Sequence, residues 1–244
     1  PHLWFRNTWS WSTGTDRPSL RQSQDRTVTV DHPDFPDWIW SIDVADELLF
    51  CENETNPGTT WKLPTPGYFK DAFHQHVVDG RAEATNPERR GTKLAGRVHR
   101  ELAGGEACTI RIRLRARTTD DPFADFDTIF AQRRAEHDAF YEEIQTGIAS
   151  SAERTLHRRA HAGLLWTKQC YRFDVAHWLE GDPVGPPPPP DRRTGRNHRW
   201  KHLDTSEVLL MPDSWEYPWF ASWDLAFHCI TLVEIDPEFA KKQL

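Results

Sequence analysis

Residues 107–141, ACTIRIRLRARTTDDPFADFDTIFAQRRAEHDAFY, change their hydrophobic period midway, and that change decides the fold. Along Ala107-Cys108-Thr109-Ile110-Arg111-Ile112-Arg113-Leu114-Arg115, apolar and basic residues alternate with period two, as a strand with one wet face requires. From Asp125-Phe126-Asp127 onward, the positions Ile129, Phe130, Arg133, Arg134, His137, Phe140 and Tyr141 recur three and four apart, which predicts a helix with Asp127 as its N-cap and its end near Gly147. Strands therefore precede residue 120 and helices follow it.

The residues before this boundary agree. Val28 and Val30, then Trp38-Ile39-Trp40-Ser41-Ile42-Asp43-Val44, then Leu48-Leu49-Phe50, are short β-branched or aromatic runs between Pro, Asp and Asn clusters, the pattern of an antiparallel all-β module. Residues 93–100 make a further candidate strand, and Gly104-Gly105 suits a hairpin turn before the alternating Arg run. Those arginines could form a basic patch; a solvated strand face is the simpler expectation. His74 and His76, with Asp71 and Asp79 nearby, could be metal ligands, but the same alternation puts both His on one polar strand face.

Beyond the boundary, a second helix is expected to start at Ser150-Ser151-Ala152-Glu153. It would run through Leu156, Ala160, Leu164, Leu165, Lys168, Tyr171 and Phe173 to Trp178 or Leu179, well buried. Gly181-Asp182-Pro183 and Pro186 to Pro190 cannot be helix or central strand, and Arg192, Arg193, Arg196, His198, Arg199 and Lys201 continue in a polar vein. A polyproline tract can be an SH3 or WW ligand, but a stiff surface loop is expected here because an aromatic segment resumes at Trp200. Asp236-Pro237-Glu238 reads as the start of a final helix. The sequence opens at Pro1 and closes soon after that start, so it is expected to be an internal fragment.

Composition narrows the function. Thirty basic against thirty-seven acidic residues give a net charge of −7, which disfavours nucleic acid as a partner. No apolar run is long enough for a transmembrane helix and no leader opens the chain, so neither a membrane nor secretion is expected. Cys51, Cys108, Cys170 and Cys229 lie far apart without a CxxC, the pattern of reduced, buried thiols in a cytoplasmic protein. The sequon Asn53-Glu54-Thr55 carries little weight, since one chance match is expected.

The densest chemistry is at residues 211–228, MPDSWEYPWFASWDLAFH. Pro218 can open a helical turn, with Ser222, Trp223, Phe227 and Ile230 on successive turns, which places Asp224 early in a helix among indole rings. A carboxyl among apolar rings holds its proton, and the rings can cover the apolar faces of a sugar. Asp224 is therefore the candidate acid, and Glu216, Tyr217, Trp219, Trp223 and Phe227 are candidate sugar-binding residues. From spacing alone the alternative stays open, in which the aromatics are core and Asp224 merely answers the helix dipole. Asp213, Glu216 and Glu207 are each candidates for a second carboxylate. Trp4, Trp9 and Trp11 could stack on sugars too, but core or interface packing is the plainer expectation.

The stretch Trp223-Asp224-Leu225-Ala226-Phe227-His228 resembles the W-D-x-x-F-H signature of glycoside hydrolase family 63. Leu3 to Trp11, Lys70-Asp71-Ala72-Phe73-His74 and Asn86-Pro87-Glu88 resemble segments of its bacterial members. The resemblance implies an α+β multidomain fragment: an antiparallel β-sandwich portion (1–120), a linker helix (121–150) and the first helices of an (α/α)6 barrel (151–244). It implies an inverting α-glucosidase or α-mannosidase that acts on an oligosaccharide or small glycoside and needs no cofactor or metal. Asp224 would be the general acid, Trp223 and Phe227 would flank the sugar, and a Glu from later in the barrel would be the base. Phe220-Ala221-Ser222 departs from the eukaryotic processing enzyme, so that enzyme's glycan substrate is not carried over. The rival expectation is a noncatalytic carbohydrate-binding or scaffold protein; a third is an adaptor recognised through Pro186 to Pro190.

Overall fold

Strand β1 (Ser19–Gln24) pairs antiparallel with β2 (Thr27–Asp31), which pairs with β3 (Trp38–Ile42). The register sets Trp38 opposite Val30 and Trp40 opposite Val28, so β-branched and aromatic side chains share one face, the arrangement that stabilises a sheet. These contacts come from a computed structural model that describes residues 17–32, 37–116, 121–181, 186–211 and 221–244. The chain divides into two units, Pro1–Thr128 with Asp182–Pro187, and Ile129–Gly181 with Pro188–Leu244.

In the first unit, β4 (Glu47–Cys51) is followed by two short helices, α1 (Pro57–Trp61) and α2 (Ala72–Val77), then β5 (Arg90–Gly91), β6 (Lys93–Arg97) and β7 (Ile112–Ala116). A five-stranded sheet runs β5-β1-β2-β3-β7, and β4 pairs separately with β6. Both sheets feed one core, in which Leu20, Val28, Val30 and Phe50 are buried and Trp38, Trp40, Leu48, Leu94 and Leu114 pack around them. Phe50 is 1% exposed, and burying a Phe of this kind contributes about 1.5–3 kcal/mol. Gly91 is required by close approach, because a Cβ there would sit 2.3 Å from the Cys51 carbonyl oxygen.

Several expectations are corrected here. The alternating run forms strand only from Ile112, while residues 107–111 are irregular and Ile110 is exposed. Gly104 and Gly105 do make a tight turn, with Glu106 N–H donating to the Ala103 carbonyl, but it does not join a hairpin: β6 pairs with β4, and β7 with β3. The face is solvated, and two of its arginines are paired there. Arg113 bonds the Pro122 carbonyl and the Asp125 carboxylate, and Arg111 holds both Asp127 oxygens at 2.9 Å. The segment leading into the next helix therefore supplies two carboxylates to that face. His74 and His76 lie on helix α2, not on a strand. His76 is tucked between Glu47 (3.1 Å) and Thr85 (3.4 Å), and His74 is exposed.

The next helix, α3 (Phe126–Ile144), already includes Asp127 in its first turn, so Asp127 is not the cap; its carboxylate serves Arg111 instead. Helix α4 (Ser151–Trp166) begins as expected, with the Ser150 hydroxyl accepting from the Glu153 N–H. It stops twelve residues short of Trp178. Lys168–Asp174 form β8, antiparallel to β9 (Asp204–Leu210), with Lys168 opposite Leu210 and Asp174 opposite Asp204. Cys170, Tyr171 and Phe173 suit a strand once a distant partner saturates the backbone, which the helical spacing of the same residues could not reveal. Nor is α4 well buried: His161 and Leu164 are its buried residues, whereas Leu156 is 69% and Trp166 81% exposed.

Between the two strands, α5 (Val175–Glu180) is capped by the Asp174 carboxylate on the His177 N–H. The proline loop folds back on this helix: Arg192 stacks over Trp178 at 4.9 Å and donates to its carbonyl, and Pro188 fills the space where Gly181 (φ +91°) has no side chain. Helix α6 (Ser222–Leu232) and helix α7 (Pro237–Gln243) complete the second unit, α7 being capped by Asp236 on the Phe239 N–H. Leu164, Leu210, Leu225, Cys229, Leu232 and Ala240 form its core. The whole is α+β, with antiparallel sheets and helices. Among the described residues, no helix is long and apolar enough to cross a membrane.

Candidate functional site

Helix α6 sorts its residues by the 100° step of the α-helix. Leu225, Cys229 and Leu232 lie on one face and are buried. Trp223, Phe227 and Ile230 lie on the opposite face and are 68%, 65% and 71% exposed. Among the described residues, neither ring belongs to the core that α6 shares with α4, β9 and α7. Asp224 stands in the first turn at the border between these faces, half-buried, with His228 one turn on and also half-buried. The His228 Nδ1 is buried without a hydrogen-bond partner among the described residues. A carboxylate in the first turn also meets the positive end of the helix dipole.

Of the other candidates, Glu216, Tyr217 and Trp219, like Asp213, Pro218, Phe220 and the Trp4, Trp9 and Trp11 group, lie outside the described residues. Glu207 is exposed on β9 opposite Tyr171. Two cavities of about 300 and 410 Å³ belong to the first unit, and neither contains Asp224. The larger is lined by Glu47, His76, Asp46, Arg26 and Arg89. There the Glu47 carboxyl, although burial works against its charge, is held below its ordinary range by Arg97 (2.6 Å) and His76 (3.1 Å).

The thiols depart from expectation. None of the four cysteines is in a disulfide; Cys51 and Cys229 are buried, but Cys108 and Cys170 are exposed, on an irregular segment and on the β8 edge of the hairpin. Burial pushes the Cys51 thiol up to about 12.

One cluster was not singled out in the sequence. His157 and His161 lie one turn apart on α4 and meet Glu234 in the turn between α6 and α7, with one ligand atom from each within 4.8 Å of the others. The signal was present in the His-x-x-x-His spacing, which puts both rings on one face of a helix; the third member, 73 residues beyond His161, needed the fold. Around them, Tyr141 stacks on His161 at 6.0 Å, and Gln145 reaches both His157 and the Arg154 carbonyl.

Compared with known proteins, the chain is 39% identical, over 289 aligned positions, to the uncharacterized protein YMR196W of Saccharomyces cerevisiae (strain ATCC 204508 / S288c). The match covers 100% of this chain and 26% of that protein, so the chain spans about a quarter of the relative's length. No family model matches the chain, and no solved structure matches it.

Proposed function

We propose that this chain supplies the acid half of an inverting α-glycosidase acting on an α-glucoside or α-mannoside. Asp224 protonates the glycosidic oxygen, while a later Glu of the full-length protein activates a water on the opposite face of the sugar ring. Inverting enzymes hold two such carboxyls about 6.5–9.5 Å apart so that the water fits between sugar and base. The observation that carries the reading is the placement of Trp223 and Phe227, large rings outside the described core, beside a half-buried Asp224. Aromatic rings of this size are chemically suited to pack on the apolar face of a pyranose. The resemblance of Trp223 to His228 to the family 63 signature supports the same assignment, and helices α4, α6 and α7 then take the place of the first helices of an (α/α)6 barrel.

The test is Asp224→Asn in the full-length protein. Hydrolysis of unactivated α-glucosides and α-mannosides should fall by about 10²–10⁴-fold, the usual worth of a general acid, while sugar affinity and the circular dichroism spectrum persist. Undiminished turnover would remove Asp224 from the reaction. If the wild-type protein binds these sugars without cleaving them, the rival carbohydrate-binding reading holds instead.

A further inference from the structure

We propose that His157, His161 and Glu234 form a binding site for a divalent transition-metal cation of the zinc class. The two imidazoles and the carboxylate converge on one point beside α4. His161 is 2% exposed, and its Nε2 faces the Glu234 Oε2 at 3.7 Å, beyond hydrogen-bond length. The same Glu234 oxygen lies 3.4 Å from the His157 Nε2. A tetrahedral ion with bonds of about 2.0–2.1 Å keeps its ligand atoms roughly 3.3–3.5 Å apart; the two separations from Glu234 are close to this, and all three ligand atoms lie within 4.8 Å of one another.

The donor set agrees with the geometry. Two imidazoles and one carboxylate are borderline ligands that zinc and its neighbours accept, whereas calcium and magnesium prefer oxygen alone. Glu234 is 57% exposed and gives an ion access from solvent. Gln145 is the outer partner. Its Nε2 lies 3.1 Å from the His157 Nδ1 and donates to the Arg154 carbonyl, while its Oε1 accepts from the Arg158 Nε, so the amide holds the His157 ring in place. Such an ion would tie α4 to the α6–α7 turn through three residues to which the glycosidase proposal gives no role.

The test is zinc binding to full-length protein stripped with a chelator, measured by equilibrium dialysis and by thermal shift, with Co²⁺ as a spectroscopic substitute. One equivalent should bind, raise the Tm, and give the intense visible bands of a tetrahedral cobalt site. Because His161 is buried and H161A could fail to fold, the discriminating variants are E234Q and H157Q, which keep volume and sit nearer solvent. Each should lose that equivalent, with Kd rising by more than the roughly 10–100-fold that loss of an outer partner brings. Absence of binding by the wild-type protein would overturn the proposal, and so would an unchanged stoichiometry and affinity in both variants.

Discussion

Replacing Leu232 and Phe227 by alanine, one at a time, tests whether α6 is divided as described. Leu232 is 0% exposed in the core with Leu225, Cys229 and Leu210, and a Leu→Ala change at such a position leaves a cavity costing about 3 kcal/mol. At about 2–4 °C per kcal/mol for a chain of this size, the Tm should fall by roughly 6–12 °C. Phe227 is larger but 65% exposed, so only about a third of its burial is lost on truncation. With about 1.5–3 kcal/mol for complete burial, that third amounts to about 0.5–1 kcal/mol and a Tm change of roughly 1–4 °C. Thermal unfolding followed by circular dichroism at 222 nm, roughly the helical minimum, reads both. A Phe227→Ala loss equal to that of Leu232→Ala would mean that the ring is core after all, and the sugar-platform argument would fail with it.

Two further outcomes follow from the first unit and the thiols. Because Arg97 and His76 hold the Glu47 carboxyl below the ordinary glutamate value, its contribution is complete above that ordinary value and is lost as pH falls through the lower folded one; Glu47→Gln should flatten that acid limb in a pH series of urea midpoints, and an unchanged limb would show the ion pairs to be idle. In the native protein a thiol reagent should label Cys108 and Cys170 quickly and Cys51 and Cys229 only after denaturation, a pattern that peptide mapping would contradict by finding Cys51 among the fast sites.

What could be read from sequence follows the range of the interactions involved. Strands β2, β3 and β4 were legible because Val28, Val30, Trp38, Trp40 and Phe50 carry their period locally. The caps at Ser150 and Asp236 were legible because a capping residue and its target are three positions apart. The hairpin of β8 and β9 was not, since Cys170 and Tyr171 meet Val208 and Glu207 across more than thirty residues and fit a helical spacing equally well. The pairing of Arg111 and Arg113 with Asp127 and Asp125 was hidden for the same reason: charge alternation on a strand says nothing about which carboxylates meet it. In the candidate site, the place of Asp224 in a first helical turn was legible, whereas the exposure of Trp223 and Phe227 needed the partners of α6 to be known. The His157, His161 and Glu234 cluster combines both cases, a local pair completed by a distant third.

The claim at the centre is that Asp224 donates a proton in a single-displacement cleavage. Proton NMR of the anomeric products released by the full-length protein from α-glucosides and α-mannosides tests it most directly. The account predicts that the β-anomer appears first and equilibrates afterwards; initial release of the α-anomer, or hydrolysis of neither sugar, would contradict it.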